Sequence, residues 1–144
     1  MELSLHGDLM YYSTQTSASL FSINTSYLNT NPAKSTASTA AANAAVVELG
    51  EKGGMSSGFV VDSLGMLYML MPESNAVYIY NTTTTRVEPY VKDPRMIYPD
   101  RAFAGYDGYI YYIVNQLYDQ PAWNDAVGKW NLYVTRSLLI SIAS

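Results

Sequence analysis

Short runs of alternating apolar and β-forming residues, each broken by an x-Gly turn, organise this chain. Glu2–Leu5 alternates and stops at His6-Gly7-Asp8. Leu9–Tyr12 continues as the next strand, and Ser19–Ile23 follows after a Ser/Thr/Ala turn. The second unit is cleaner: Gly58–Val61, Met66–Met71, Ala76–Asn81 and Arg86–Val91 read as four strands. The first two are joined by Asp62-Ser63-Leu64-Gly65, with Gly where a positive φ is wanted. A third unit opens at Arg101–Gly105, turns at Tyr106-Asp107-Gly108 and runs through Tyr109–Val114. Asn29–Ala45 breaks the pattern with Asn-Thr-Asn-Pro and an Ala/Ser/Thr stretch, which reads as a loop or a short weak helix over Ala37–Ala45. Val46–Leu49 then supplies an outer strand, and after Gln120-Pro121 the alternation decays.

The turn glycines Gly7, Gly65 and Gly108 stand 58 and 43 residues apart, the first interval lengthened by Asn29–Ala45, which matches a repeat of roughly 40–50 residues with several strands per unit. Such units are propeller blades, small sheets that cannot stand alone. The expected fold is therefore all-β: a partial β-propeller of about two and a half four-stranded antiparallel blades. The partial propeller spans 1–125, with blades at about 1–50, 51–97 and 98–125. The remaining 126–144 is expected to be an atypical tail, disordered or mistranslated. Two or three blades do not close a ring, and Met1 falls inside a strand-turn pattern, so the chain reads as a fragment.

Composition narrows the class further. There are 14 Tyr against 3 Phe and 2 Trp, which suits half-buried pleated surfaces with one wet edge. With only eight Lys+Arg, unclustered, and a net charge of −4, the chain lacks a nucleic-acid footprint. Cysteine is absent, so no disulfide frame or thiolate metal site exists. No apolar run reaches the roughly 18 residues a membrane span needs, and the amino terminus carries no signal-peptide pattern.

Several residues are candidates for chemistry. Gly54-Met55-Ser56-Ser57-Gly58 matches the G-x-S-x-G nucleophile pattern, but that motif needs a strand-to-helix elbow with the acid and histidine downstream. Here it leads into Phe59-Val60-Val61, and the sole histidine, His6, lies upstream in a turn, so a serine hydrolase is rejected. His6 alone lacks the partner donors of a metal site. Asp8, Asp62, Asp93 and Asp107 sit in or beside turns, where Asp accepts from nearby backbone N–H groups. Asp100 stands directly before the innermost strand of the third unit, and Ser57 holds the corresponding place in the second. In a propeller that position faces the mouth of the central channel, so each is either a pocket-lining group or a strand-opening turn residue. Tyr98 and Asn115 flank the same blade and complete the candidate ligand-binding set. Tyr11, Tyr12, Tyr78, Tyr80, Tyr111 and Tyr112 are expected to pack between blades.

A set of motifs in register extends this reading. Leu9-Met10-Tyr11-Tyr12-Ser13, Leu20-Phe21-Ser22-Ile23-Asn24-Thr25, Leu49-Gly50-Glu51-Lys52-Gly53, Asn75-Ala76-Val77-Tyr78, Asp93-Pro94-Arg95, Tyr98-Pro99-Asp100 and Tyr109-Ile110-Tyr111-Tyr112 together resemble the carboxy-terminal half of the major royal jelly protein/yellow family. The departures are the missing upstream blades, Ser57 in place of the family's Asp, and the stretch after Asp125. The resemblance implies a secreted, extracellular six-bladed propeller that binds a small molecule in its channel; some relatives bind amines and some convert dopachrome-like quinones. It gives weight to Asn24-Thr25-Ser26 and Asn81-Thr82-Thr83 as glycosylation sequons. The alternatives are a gluconolactonase/regucalcin-like hydrolase or a non-functional truncated product. The former holds a divalent cation at the channel-facing ends of its inner strands, where this chain has Ser57 and Asp100, so no metal and no other cofactor is expected. The partners expected are a small-molecule ligand and the remaining blades, with neither nucleic acid nor membrane. Without those blades an apolar face is uncovered at each end, one of them at Leu3, Leu5 and Tyr11. The isolated chain is then expected to be aggregated or molten.

Overall fold

The computed structural model describes residues 1–29, 36–115 and 138–141. Three antiparallel sheets follow one another along the chain. The first is a meander of β1 (Glu2–Leu3), β2 (Leu9–Tyr12), β3 (Ser19–Asn24) and β4 (Val47–Glu51). The second is β5 (Gly58–Val61), β6 (Leu67–Met71), β7 (Ala76–Asn81) and β8 (Arg86–Lys92). The third pairs β9 (Tyr98–Ala104) with β10 (Tyr109–Asn115) and β10 with β11 (Leu138–Ser141). Each is a propeller blade, and among the described residues the three do not close into a barrel or ring. The tail expected over 126–144 lies outside the described residues except for β11. The break before β4 forms helix α1 (Thr36–Ala44), the helix option of the sequence reading, beside a 3₁₀ turn at Thr25–Leu28. Ala-rich composition favours it, although neither end carries a charge that complements the helix dipole.

The middle blade is the core. In β6, Leu67, Met69 and Met71 face the first blade and pack with Tyr11, Leu20, Phe59 and Tyr80. Tyr68 and Leu70 point the other way and join Val60, Val77, Ile110, Tyr112 and Val114 of the second and third blades. No side chain of β6 is more than 3% exposed, which is why this strand reads as an unbroken apolar run rather than an alternation. Burying each such side chain contributes about 1.5–3 kcal/mol relative to leaving it in water.

The first turns of the three blades are variants of one design. Gly7, Gly65 and Gly108 adopt φ of 72°, 80° and 82°, the left-handed region that only Gly enters without strain. In the second and third blades the turn closes four residues apart: Asp62 N–H donates to the Met66 carbonyl and Gly105 N–H to that of Tyr109. In the first blade Ser4 N–H donates to Leu9, five residues on. That extra residue shifts the phase of β2 by one, and a one-residue shift moves every side chain to the opposite face. Tyr11 thereby becomes the equivalent of Tyr68. It faces the middle blade at 6% exposure and is not part of the uncovered edge expected for it, whereas Leu3 and Leu5 are half exposed.

Candidate functional site

Inner strands β1, β5 and β9 lie side by side, as channel-lining strands do, and the closest approach is between β5 and β9. A Cβ on Gly58 would sit 2.5 Å from the Asp100 carbonyl oxygen, so only Gly allows these backbones to come together. Ser57, directly before Gly58, donates its N–H to the Leu70 carbonyl at 3.0 Å. Its hydroxyl lies 3.3 Å from the same oxygen and also meets the Pro99 carbonyl. Ser57 therefore staples the second blade to the third.

Asp100 does not precede the inner strand as the sequence suggested; β9 already begins at Tyr98. The register instead jumps there, with Arg101 opposite Ile113 and Pro99 opposite Val114, so Asp100 is the extra residue of a β-bulge. A bulge re-aims a side chain and breaks the ladder locally. Among the described residues no hydrogen bond or ion pair engages the half-buried Asp100 carboxylate. Tyr98 and Asn115 are opposite each other in the β9–β10 register. The Tyr98 hydroxyl accepts from Gln15 Nε2 at 2.5 Å, a contact that runs from the first blade to the third. The structure thus gathers Ser57, Tyr98, Asp100 and Asn115 at one end of the blade stack.

Two members of this end escaped the sequence reading. Gln15 lies in an undistinguished Ser/Thr stretch, and only tertiary contact gives it a role. Lys52 is fully buried; its Nζ donates to the carbonyls of Ser17 and Gly54, and its N–H donates to Ala18 at 2.7 Å. Burial holds the amine below its usual range, partly offset by Glu73 and Glu51. Both carbonyl partners belong to loops that flank the candidate mouth, so Lys52 ties the β2–β3 loop to the β4–β5 connection. Glu73 braces the same connection by accepting from Met55 N–H at 3.0 Å.

The turn carboxylates behave as turn residues. Asp62 is buried, accepts from the N–H groups of Leu64 and Met66 at 2.9 Å, and takes the Tyr68 hydroxyl at 3.0 Å. Burial, then the Asp62 charge, pushes the Tyr68 phenol well above its normal range. Asp93 receives Arg95 N–H and the Arg95 guanidinium, which hold its carboxyl down at about 2. Tyr112 is raised by burial to about 12, and among the described residues its hydroxyl meets no hydrogen-bond partner. The sequon asparagines occupy one equivalent position, the last residue of a third strand. Asn24 Oδ1 accepts from Ser26 N–H, and Asn81 Oδ1 from Thr83 and Thr84, all at 2.9 Å.

Ser56 of the G-x-S-x-G match is buried and followed by a strand, while His6 lies in a β1–β2 turn at the other end of the sheets. Among the described residues no group of His, Cys, Asp or Glu could hold a metal. A cleft of about 340 Å³ opens at the far end of the second blade, between Asp62, Tyr68, Arg86, Glu88 and Tyr90. The four candidate residues do not line it.

Blade-wise meanders, inner strands gathered side by side and core on both faces of the middle sheet define a β-propeller architecture. The chain belongs to the major royal jelly protein family, whose model matches residues 1–120. Among solved structures it is similar to the hydrazine synthase of Kuenenia stuttgartiensis. The two are 17% identical with a TM-score of 0.52, covering 77% of this chain and 27% of that one. The chain thus spans about a quarter of that structure's length, and the likeness is one of fold. A search of curated proteins returned no match.

Proposed function

We propose that these blades belong to a six-bladed, extracellular ring of the royal jelly/yellow type that binds a small molecule at the end carrying Ser57, Tyr98, Asp100 and Asn115. The remaining blades of the ring are its structural partners. The observation behind this reading is the bulge at Asp100. It leaves a carboxylate unengaged among the described residues, two positions along β9 from Tyr98, whose register partner on β10 is Asn115. Convergent polar groups on a rigid apolar scaffold are the ordinary makings of a small-molecule site. Binding, not chemistry, is the activity these residues support.

The test is a ligand screen by chemical-shift perturbation with small hydrogen-bonding aromatics, repeated on Asp100→Asn and Tyr98→Phe. The reading predicts hits whose affinity falls about tenfold or more, roughly 1.4 kcal/mol, in each variant. Hits indifferent to both substitutions, or confined to the Arg86–Tyr90 cleft, would contradict it. Secretion is tested separately by expression in a glycosylating host. Endoglycosidase treatment should then shift the mass through Asn24 or Asn81, and an unmodified secreted chain would remove the support the sequons give.

A further inference from the structure

We propose that Gln15 is the gate of the site at the Ser57 end: its carboxamide occupies the Tyr98 hydroxyl, and a ligand reaches that hydroxyl only by taking the place of the amide. The inference rests on the binding reading given above and names the residue that controls entry.

The connection that carries Gln15 is longer than its counterpart one blade on. Residues 13–18 join β2 to β3, whereas residues 72–75 join β6 to β7. Both connections end at an equivalent place: Ala18 accepts from Lys52 N–H at 2.7 Å as Asn75 accepts from Asp93 N–H at 3.0 Å. The additional length therefore lies toward the tip, Thr14-Gln15-Thr16, where all three residues are exposed. In the shorter loop Glu73 stays within its own blade and accepts from Met55 N–H. Gln15 instead reaches past the middle blade, and its Nε2 donates to the Tyr98 hydroxyl at 2.5 Å.

Both ends of this contact are fixed behind the Gln15 side chain. At the base of the loop Ser13 Oγ donates to the Ser19 carbonyl at 2.8 Å, and the Ser17 hydroxyl accepts from Ser19 N–H at 3.0 Å. The buried Lys52 Nζ holds the Ser17 carbonyl. On the far side Tyr98 is only 7% exposed, and Pro99 behind it is fully buried with its carbonyl on the Ser57 hydroxyl. The part able to move is the Gln15 side chain. Pinning a long, exposed side chain costs rotamer entropy comparable to what one neutral hydrogen bond returns, so the closed position is held only marginally.

The polarity of the contact sets what can replace the amide. The Tyr98 oxygen accepts from Gln15, and Asp100, two positions along β9, offers a carboxylate, also an acceptor. The incoming group is therefore an N–H donor of the carboxamide kind. A ligand that needs a hydroxyl already occupied binds with an affinity reduced to the open fraction of molecules. Gln15 thereby selects against molecules that present no donor as good as its own amide.

The test reads Tyr98 directly on the 144-residue chain, by tetranitromethane nitration and peptide mass spectrometry; there is no cysteine to compete for the reagent. In the wild type Tyr98 should react far more slowly than the exposed Tyr106. In Gln15→Ala it should react about fivefold faster or more, the consequence of one lost hydrogen bond, with the buried Tyr112 unchanged. Should Tyr112 accelerate as well, Gln15→Asn, too short by a methylene to keep the contact, gives the same reading. Benzamide, which carries the carboxamide of Gln15 on an aromatic ring, is then titrated by chemical-shift perturbation. It should bind Gln15→Ala about fivefold more tightly than the wild type, and the gain should vanish when Tyr98→Phe is added. Tyr98 equally reactive with and without the Gln15 side chain, or benzamide binding Gln15→Ala more weakly, would overturn the proposal. Benzamide that binds neither chain while Tyr98 nitration accelerates would contradict the ligand reading and support Gln15 as the cover of Tyr98.

Discussion

Tyr68 and Tyr111 make the same hydrogen bond to a turn aspartate in two environments, and the contrast is measurable. Tyr68→Phe leaves a buried Asp62 oxygen without its partner and should cost about 1–3 kcal/mol in a urea melt, whereas Tyr111→Phe, with Asp107 exposed, should cost less than about 1. Equal losses would mean that the third blade is as enclosed as the second. Thr85 is a β-branched residue at φ 57° in the β7–β8 turn, a conformation L side chains disfavour by about 1–2 kcal/mol. Thr85→Gly relieves that strain against a smaller entropic loss in the unfolded chain, so the melt should be unchanged to about 1 kcal/mol more stable. A clear destabilisation would show that the Thr side chain supports the turn. Asp93 supplies the pH dependence. Its folded-state carboxyl lies near 2, below the ordinary 3.8, so the unfolded chain binds the proton first as pH falls. The stability it gives is whole above about 4 and lost on descending toward 2. Asp93→Asn should flatten the melting temperature across that window, and an unchanged acid slope would count against the Asp93–Arg95 contact.

At the level of elements, the sequence was most readable where alternation, turn chemistry and glycine agreed. The middle blade was legible almost strand for strand because Asp62 to Gly65 declares a tight turn and β6 is apolar on both faces. The positive φ expected of the turn glycine is present. What did not show was phase. Nothing in His6-Gly7-Asp8 announces a turn one residue longer than its neighbours, yet that residue decides which face Tyr11 presents. The bulge at Asp100 was equally silent, since a register jump is set by the partner strand and not by local propensity. Tyr98, Asn115, Ser57 and Asp100 could be nominated by position within a blade, whereas Gln15 and Lys52 could not, because their roles depend on loops from different blades meeting. Gly58 tests the closeness of β5 and β9. Gly58→Ala drives a methyl into the Asp100 carbonyl and should cost about 1–3 kcal/mol, with the loss appearing in the third blade's exchange rates as well as in the melt.

At the scale of the whole molecule, the described residues form a stack of three blades whose middle member is covered on both faces, while among those residues the outer two each leave one face uncovered. The apolar ends expected from the sequence are present as Leu3, Leu5, Phe103 and Ile113, and they are where partner blades would attach. Stability should therefore be graded across the molecule. Amide hydrogen exchange read strand by strand tests this most directly. The account predicts the slowest exchange in Tyr68–Met71 of β6 and in its ladder partners on β7, with β4 and β8 at the sheet edges exchanging much faster. Uniformly weak protection, with β6 no slower than the edge strands, would mean a molten chain and would contradict the architecture described.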